Sequence, residues 1–106
     1  MEYLQFRFEN GHQTLAKPLQ LSGVVSSGNL EVLLESSPLQ GACEVEVSTS
    51  ARGFQTIWQA VLQDFHARWH LKDVKVAIND VGATPAVVSL RLDQAVQAAL
   101  QTKTGE

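Results

Sequence analysis

Two adjacent serines, two histidines, one thiol and a set of glutamates are the residues of this 106-residue sequence whose types and spacing could do chemistry. In the run Ser26-Ser27-Gly28-Asn29, two hydroxyls precede two residue types that accept positive φ, as the tight I′ and II′ hairpin turns demand. The turn therefore centres near Gly28 and Asn29, and Ser27 sits at or beside an exposed tip. Taken alone, such a run is mostly just a turn, because serine, glycine and asparagine are favoured there for backbone reasons. What distinguishes this one is its flanks, which are apolar and regular, so the serine is presented on a rigid scaffold.

The other candidates are weaker. His66 and His70 stand four apart near the end of a helix and in principle offer two nitrogens to a metal ion. No third ligand stands at a recognisable spacing, the glutamate of an H-E-x-x-H motif is absent, and imidazoles in a last helical turn also suit the helix dipole, so no metal is assigned. Cys43 is the single cysteine; it excludes an internal disulfide and fits a reducing compartment, the cytoplasm by default. It falls on the inward side of a strand with Val45 and Val47, where a thiol behaves as a small hydrophobe. Glu31, Glu35, Glu44 and Glu46 occupy alternate strand positions and could pair for acid–base work, but such residues are more often the solvated face of a sheet. Trp58 and Trp69 read as core rather than as a stacking platform. No catalytic residue is assigned.

The elements that must position these residues follow from periodicity. Leu4, Phe6 and Phe8 alternate with polar residues on a first strand, a second runs roughly from Leu19 to Val25, and Leu30, Val32 and Leu34 mark a third. Cys43, Val45 and Val47 mark a fourth. Phe54, Ile57, Trp58, Val61, Leu62, Phe65 and Trp69 recur at intervals of three and four, the apolar stripe of an amphipathic helix of about four turns. Val74, Val76 and Ile78 form a fifth strand, so the fourth strand, the helix and the fifth strand make a βαβ unit, for which a right-handed crossover is expected. Thr84 as N-cap and Pro85 at the first helical position open a second helix, with Val88, Leu92, Ala95, Val96 and Ala99 on one face. Residues 87 to 92 also admit a period-two reading as a short strand; Thr84-Pro85 and the polar face of Arg91, Asp93, Gln94 and Gln97 favour helix. The sum is an α+β domain in two layers, about five mostly antiparallel strands with two helices on one face. Residues 1–101 form this single domain, and 102–106 a polar, flexible tail.

Composition excludes several classes of function. A net charge of −3 with scattered Lys and Arg offers no basic stripe for nucleic acid. The N-terminal MEYLQFRFEN lacks the apolar centre of a signal peptide, and no apolar run approaches the about 18 residues a membrane span requires.

Two stretches resemble a known family. GVVSSGNLEVLLE, residues 23 to 35, is similar to the segment around the modified serine in the acyl-carrier (delta) subunit of malonate decarboxylases. NDVGATPAVVSLRLDQAV, residues 79 to 96, is similar to that family's second characteristic stretch, with Gly82-Ala83-Thr84-Pro85 and Arg91-Leu92 in place. The resemblance runs from about Leu4 to Leu100. The family pattern has a glycine before the modified serine and an aspartate after the Ser-Gly pair, where this chain has Ser26 and Asn29; Ser27, directly before Gly28, fits the register of the modified serine. The gamma chain of citrate lyase is a more distant relative with a similar turn.

The resemblance implies a carrier with no catalysis of its own. It implies an arm of the 2′-(5″-phosphoribosyl)-3′-dephospho-CoA type, joined to Ser27 through a phosphodiester, with Gly28 and Asn29 forming the turn. Implied partners are an acetyl/malonate acyl-carrier transferase subunit, the malonyl-carrier decarboxylase subunits, a prosthetic-group transferase and a malonyl-CoA transacylase, with neither nucleic acid nor membrane. A malonate dianion resists loss of CO₂ because the departing electrons build a carbanion beside a carboxylate, whereas a thioester carbonyl takes them up as an enolate; hence the need for a thiol-bearing arm. Fatty-acid carriers differ: they are helical bundles with a D-S-L motif, and here no Asp-Ser-Leu occurs and strands dominate. A citrate lyase gamma-type carrier and an unmodified adaptor that binds through its sheet edge or hairpin are the alternative readings.

Overall fold

The computed structural model describes residues 1–15, 19–22 and 29–100. Along the chain run β1 (Glu2–Phe8), β2 (Leu19–Ser22), β3 (Leu30–Ser36), β4 (Cys43–Thr49), α1 (Gln55–Trp69), β5 (Val74–Asp80) and α2 (Pro85–Leu100). The five strands form one sheet in the order β1-β4-β5-β3-β2. β1 pairs antiparallel with β4, β5 with β3 and β3 with β2, while β4 and β5, joined through α1, are parallel. This is the expected α+β architecture with its one βαβ unit.

The period-two pattern decides which face of the sheet is covered. Leu30, Val32 and Leu34 on β3, Cys43, Val45 and Val47 on β4, and Val74, Val76 and Ile78 on β5 are all buried in one cluster with residues of both helices. The intervening residues, among them Arg7, Glu44, Glu46 and Lys75, form the open polar face. α1 leans toward β1, and α2 lies over β2 and β3. Each fully buried aliphatic side chain contributes about 1.5–3 kcal/mol of transfer free energy, so these stripes dominate the stability of the domain.

α2 follows the expected pattern. Val88, Leu92, Ala95, Val96 and Ala99 are its buried residues, and the Thr84 hydroxyl accepts the Val87 N–H at 3.3 Å as an N-cap. The strand alternative for residues 87 to 92 is thereby excluded.

α1 departs from expectation. Only Trp58, Leu62 and Phe65 of its apolar stripe are buried, Val61 and Trp69 are half-buried, and Phe54 and Ile57 are exposed. The apolar arc is wider than the strip one contact can cover, so its Phe54–Ile57–Val61 shoulder is left beside the core rather than in it. Trp69 turns its indole N–H to Asp93 Oδ1 of α2 at 2.8 Å. β2 is described over Leu19–Ser22; residues 23–25 of the expected strand lie outside the described residues, as does the expected tail at 102–106.

The loop after β1 docks on the turn that ends α1. Gly11 approaches Leu71 so closely that a Cβ built on it would stand 2.1 Å from the Leu71 carbonyl oxygen, which is why glycine is needed there. Backbone bonds from His12 and Gln13 to the His70 carbonyl, and from Lys72 to the Gln13 carbonyl, close the contact.

Candidate functional site

The topology brings three junctions to one edge of the sheet. β4 and β5 run parallel and end as register partners at Thr49 and Asp80, each leading directly into the N-terminal end of a helix. β3 runs the other way, so its first residue, Leu30, is the partner of Asp80. The connection from β2 to β3, which contains Ser27, therefore leaves the sheet at the edge where α1 and α2 begin. Ser26, Ser27 and Gly28 lie outside the described residues. Asn29 is exposed, and its carbonyl accepts the Val81 N–H at 2.8 Å, tying the entry of β3 to the loop before α2.

A buried carboxylate fixes this edge. Asp80, 3% exposed, accepts from the Thr49 hydroxyl at 2.8 Å through Oδ2 and from the Ala83 N–H at 2.8 Å through Oδ1. The Thr49 oxygen in turn accepts the Ala51 N–H at 3.1 Å, and Ser50 N–H donates to the Asp80 carbonyl at 3.0 Å. Both strand-to-helix loops thus hang on one Thr–Asp pair. Sequence reasoning passed over Asp80; the available signal was an aspartate whose carboxylate reaches an N–H three residues on, just before Thr84-Pro85, an Asx-type turn leading into a helix.

Beside this edge the exposed shoulder of α1 faces the start of α2 across an apolar groove of about 350 Å³. Phe54, Ile57, Trp58 and Val61 form one wall and Pro85 and Val88 the other, with Asp80, Gly82 and Ala83 toward the edge of the sheet. Neither helix has an acidic residue in its first turn, and the α1 N-cap, Phe54, supplies no side-chain hydrogen bond. Arg52 is exposed and forms no ion pair among the described residues. The two positive helix ends and Arg52 make this edge compatible in charge with an anionic group.

The remaining candidates lie elsewhere. Cys43 is buried, and burial, with the negative charge of Glu44, pushes its thiol up to about 12, so it is a packed hydrophobe and no nucleophile. Glu44 pairs with Arg7, Glu46 with Lys75 at 3.3 Å, and Glu31 accepts from Asn79 at 3.1 Å, all on the open sheet face. His66 and His70 are joined by His12, with ring centroids 5.2 Å apart for the first two and 5.1 Å for His12 and His70. Among the described residues no group of three His, Cys, Asp or Glu is arranged to hold a metal ion.

Comparison with known proteins assigns the chain. Residues 18–99 match the family model described as malonate decarboxylase delta subunit (MdcD). This chain belongs to that family. The malonate decarboxylase acyl carrier protein of Xanthomonas euvesicatoria pv. vesicatoria (strain 85-10) is 61% identical over 99 residues, 92% of this chain and 93% of that protein. The protein of the same name from Stenotrophomonas maltophilia (strain K279a) is 56% identical over 102 residues, covering 94% and 95% of the two chains. Among solved structures, a chain of a Pseudomonas malonate decarboxylase hetero-tetramer in complex with malonate superposes with a TM-score of 0.78 at 36% identity, over 93% of this chain and 99% of that one. The span matched to the malonate decarboxylase delta-subunit family includes the β2–β3 connection, the groove and Asp80, while the whole of β1 precedes it. Among the described residues no helix is long and apolar enough to cross a membrane.

Proposed function

We propose that the chain works in the cytoplasm as the non-catalytic acyl carrier of a malonate decarboxylase, with a phosphoribosyl-dephospho-CoA-type arm attached through a phosphodiester to Ser27. The observation that supports this most directly is the β2–β3 register. Ser22 pairs with Val32, and Ser27 lies midway between them in sequence, in a connection that emerges at the edge with two helix N-termini and no first-turn carboxylates. When bound, the group supplies a thiol that holds acetyl and malonyl as thioesters.

The chain's own contribution is positional. Three of the five strands meet at the edge from which the serine-bearing connection leaves, and the Thr49–Asp80 pair holds that edge together, so the arm is hung from one side of a packed domain. Tethering converts the meeting of acyl group and active site into a local event at high effective concentration. The carrier needs no general base of its own in this reading, because the bond-making and bond-breaking steps fall to its partner subunits. Its partners in this reading are the acetyl/malonate acyl-carrier transferase and malonyl-carrier decarboxylase subunits, the prosthetic-group transferase and a malonyl-CoA transacylase.

The test is intact-mass measurement and peptide mapping on protein from a host that contains the arm-attaching enzymes. A covalent adduct is expected on Ser27. Ser27→Ala should abolish both the adduct and malonate decarboxylation by the assembled complex, while Ser26→Ala retains them. Full turnover with Ser27→Ala would overturn the proposal.

A further inference from the structure

We propose that the groove between α1 and α2 receives the uncharged, acetyl-bearing end of the arm and excludes the malonyl-bearing end, so that the carrier itself distinguishes its two acyl states. This rests on the reading that Ser27 bears the arm.

Position is the first support. Gly82 and Ala83 line the groove, and the residue before them, Val81, donates its N–H to the carbonyl of Asn29 at 2.8 Å. Ser27 is two residues from Asn29, a chain distance of at most about 7 Å. The attachment point and the groove mouth therefore share one edge of the domain. Size is the second support: about 350 Å³ lies at the small end of the roughly 300–1,000 Å³ typical of ligand pockets, suited to an acetyl thioester and the short amide segment behind it.

Chemistry decides between the acyl groups. The walls are Phe54, Ile57, Trp58, Val61 and Val88, and the only charged residue in the lining is Asp80. An acetyl group entering the groove exchanges water for apolar side chains, and covers Phe54 and Ile57, which are 45% and 44% exposed without it. A malonyl group brings a carboxylate that loses its hydration among these apolar side chains, with no cationic side chain in the lining to pair with it, and the partial charges of the two helix ends offset only part of that cost. The acetyl state is thus shielded on the carrier, and the malonyl state stands free in solvent, where a decarboxylating active site can take it.

The experiment uses the full chain bearing its arm, with the adduct on Ser27 verified by mass, in acetylated and malonylated forms. Methyl NMR signals of Ile57, Val61 and Val88 and the Trp58 indole signal are expected to differ between the two forms, with signals outside the groove unchanged. The acetyl thioester should hydrolyse at least about threefold more slowly than free acetyl-pantetheine, and the malonyl thioester should show no such protection. Ile57→Glu, at an exposed position, should remove the spectral difference and the protection while leaving the circular dichroism spectrum unchanged. Identical spectra for the two acyl forms, with the adduct in place, overturn this inference and leave the carrier reading standing. Groove signals that move with protein concentration instead assign the groove to a second copy of the chain and also overturn it. Absence of any adduct on Ser27 overturns both.

Discussion

Thr49 and Asp80 end the two parallel strands as register partners, and the Thr49 hydroxyl donates to Asp80 Oδ2 at 2.8 Å with both side chains buried. A hydroxyl and a carboxylate in an apolar core are tolerable only when satisfied, and here they satisfy each other and the N–H groups of Ala51 and Ala83. The pair therefore shapes the start of both helices, one wall of the groove and, through Val81 and Asn29, the root of the serine-bearing connection.

Removing the carboxylate should accordingly be costly. Asp80→Ala leaves the Thr49 hydroxyl and the Ala83 N–H without their acceptor, and an unsatisfied buried donor costs about 1–3 kcal/mol. The expected loss is roughly 2–4 kcal/mol in urea unfolding, within the sum of two such penalties, accompanied by faster amide exchange at residues 81–84. Asp80→Asn, which keeps one acceptor oxygen, should lose less.

Much of this architecture was legible in the sequence because the signals are local. Alternation on β3, β4 and β5 identified the buried residues, and Thr84-Pro85 marked the start of α2. Strand order was not legible, since it depends on which apolar stripes meet after the chain closes. The width of the α1 stripe misled for the same reason: Phe54 and Ile57 repeat with helical spacing, but periodicity reports a side of the helix and not what covers it. His12 joins His66 and His70 only because Gly11 lets a loop more than fifty residues away in sequence dock on Leu71. The turn expected at the serine run falls outside the described residues, whereas the groove and the Thr49–Asp80 pair exist only where three junctions meet.

Gly11→Ala is expected to destabilise the chain by about 1–3 kcal/mol, the usual range for forcing an atom into packed space. The added Cβ meets backbone, the Leu71 carbonyl at 2.1 Å, which has no flexible end to move aside. Urea unfolding should show a lower midpoint with an unchanged slope, and the His12 and Gln13 amides should exchange faster. An unchanged midpoint would show that the loop can dock in another way.

Cys43 should be chemically silent in the folded protein. With its thiol raised to about 12 by burial, thiolate is scarce at pH 8 and access is blocked. A colorimetric thiol reagent should therefore detect no thiol in the native unmodified chain and one after denaturation. Protein carrying the proposed arm should show one native thiol, that of the arm. Rapid native labelling at Cys43 would contradict the packing described.

The histidine cluster should make stability fall on mild acidification. His66 has its pKa lowered, first by burial and then by the neighbouring His70 and His12, outweighing the bond to the Glu9 carbonyl. With Nε2 donating to that carbonyl at 3.0 Å, a second proton must go on Nδ1, which is buried without a partner among the described residues beside the stacked ring of Phe8. The unfolded chain then binds the proton more readily than the folded one, so stability is complete above the ordinary histidine value of 6.5 and declines as pH falls through the lower folded value. Asp73 is also lowered, by its hydrogen bonds from the Gly41 and Leu39 N–H groups, but its loss begins only as pH nears and passes below the ordinary 3.8. Urea midpoints should therefore drop as pH falls below the ordinary histidine value of 6.5, and His66→Gln, which keeps a donor for the Glu9 carbonyl, should flatten that decline while leaving the acid limb of Asp73 in place. The same slope in His66→Gln as in the parent would assign the effect to other groups.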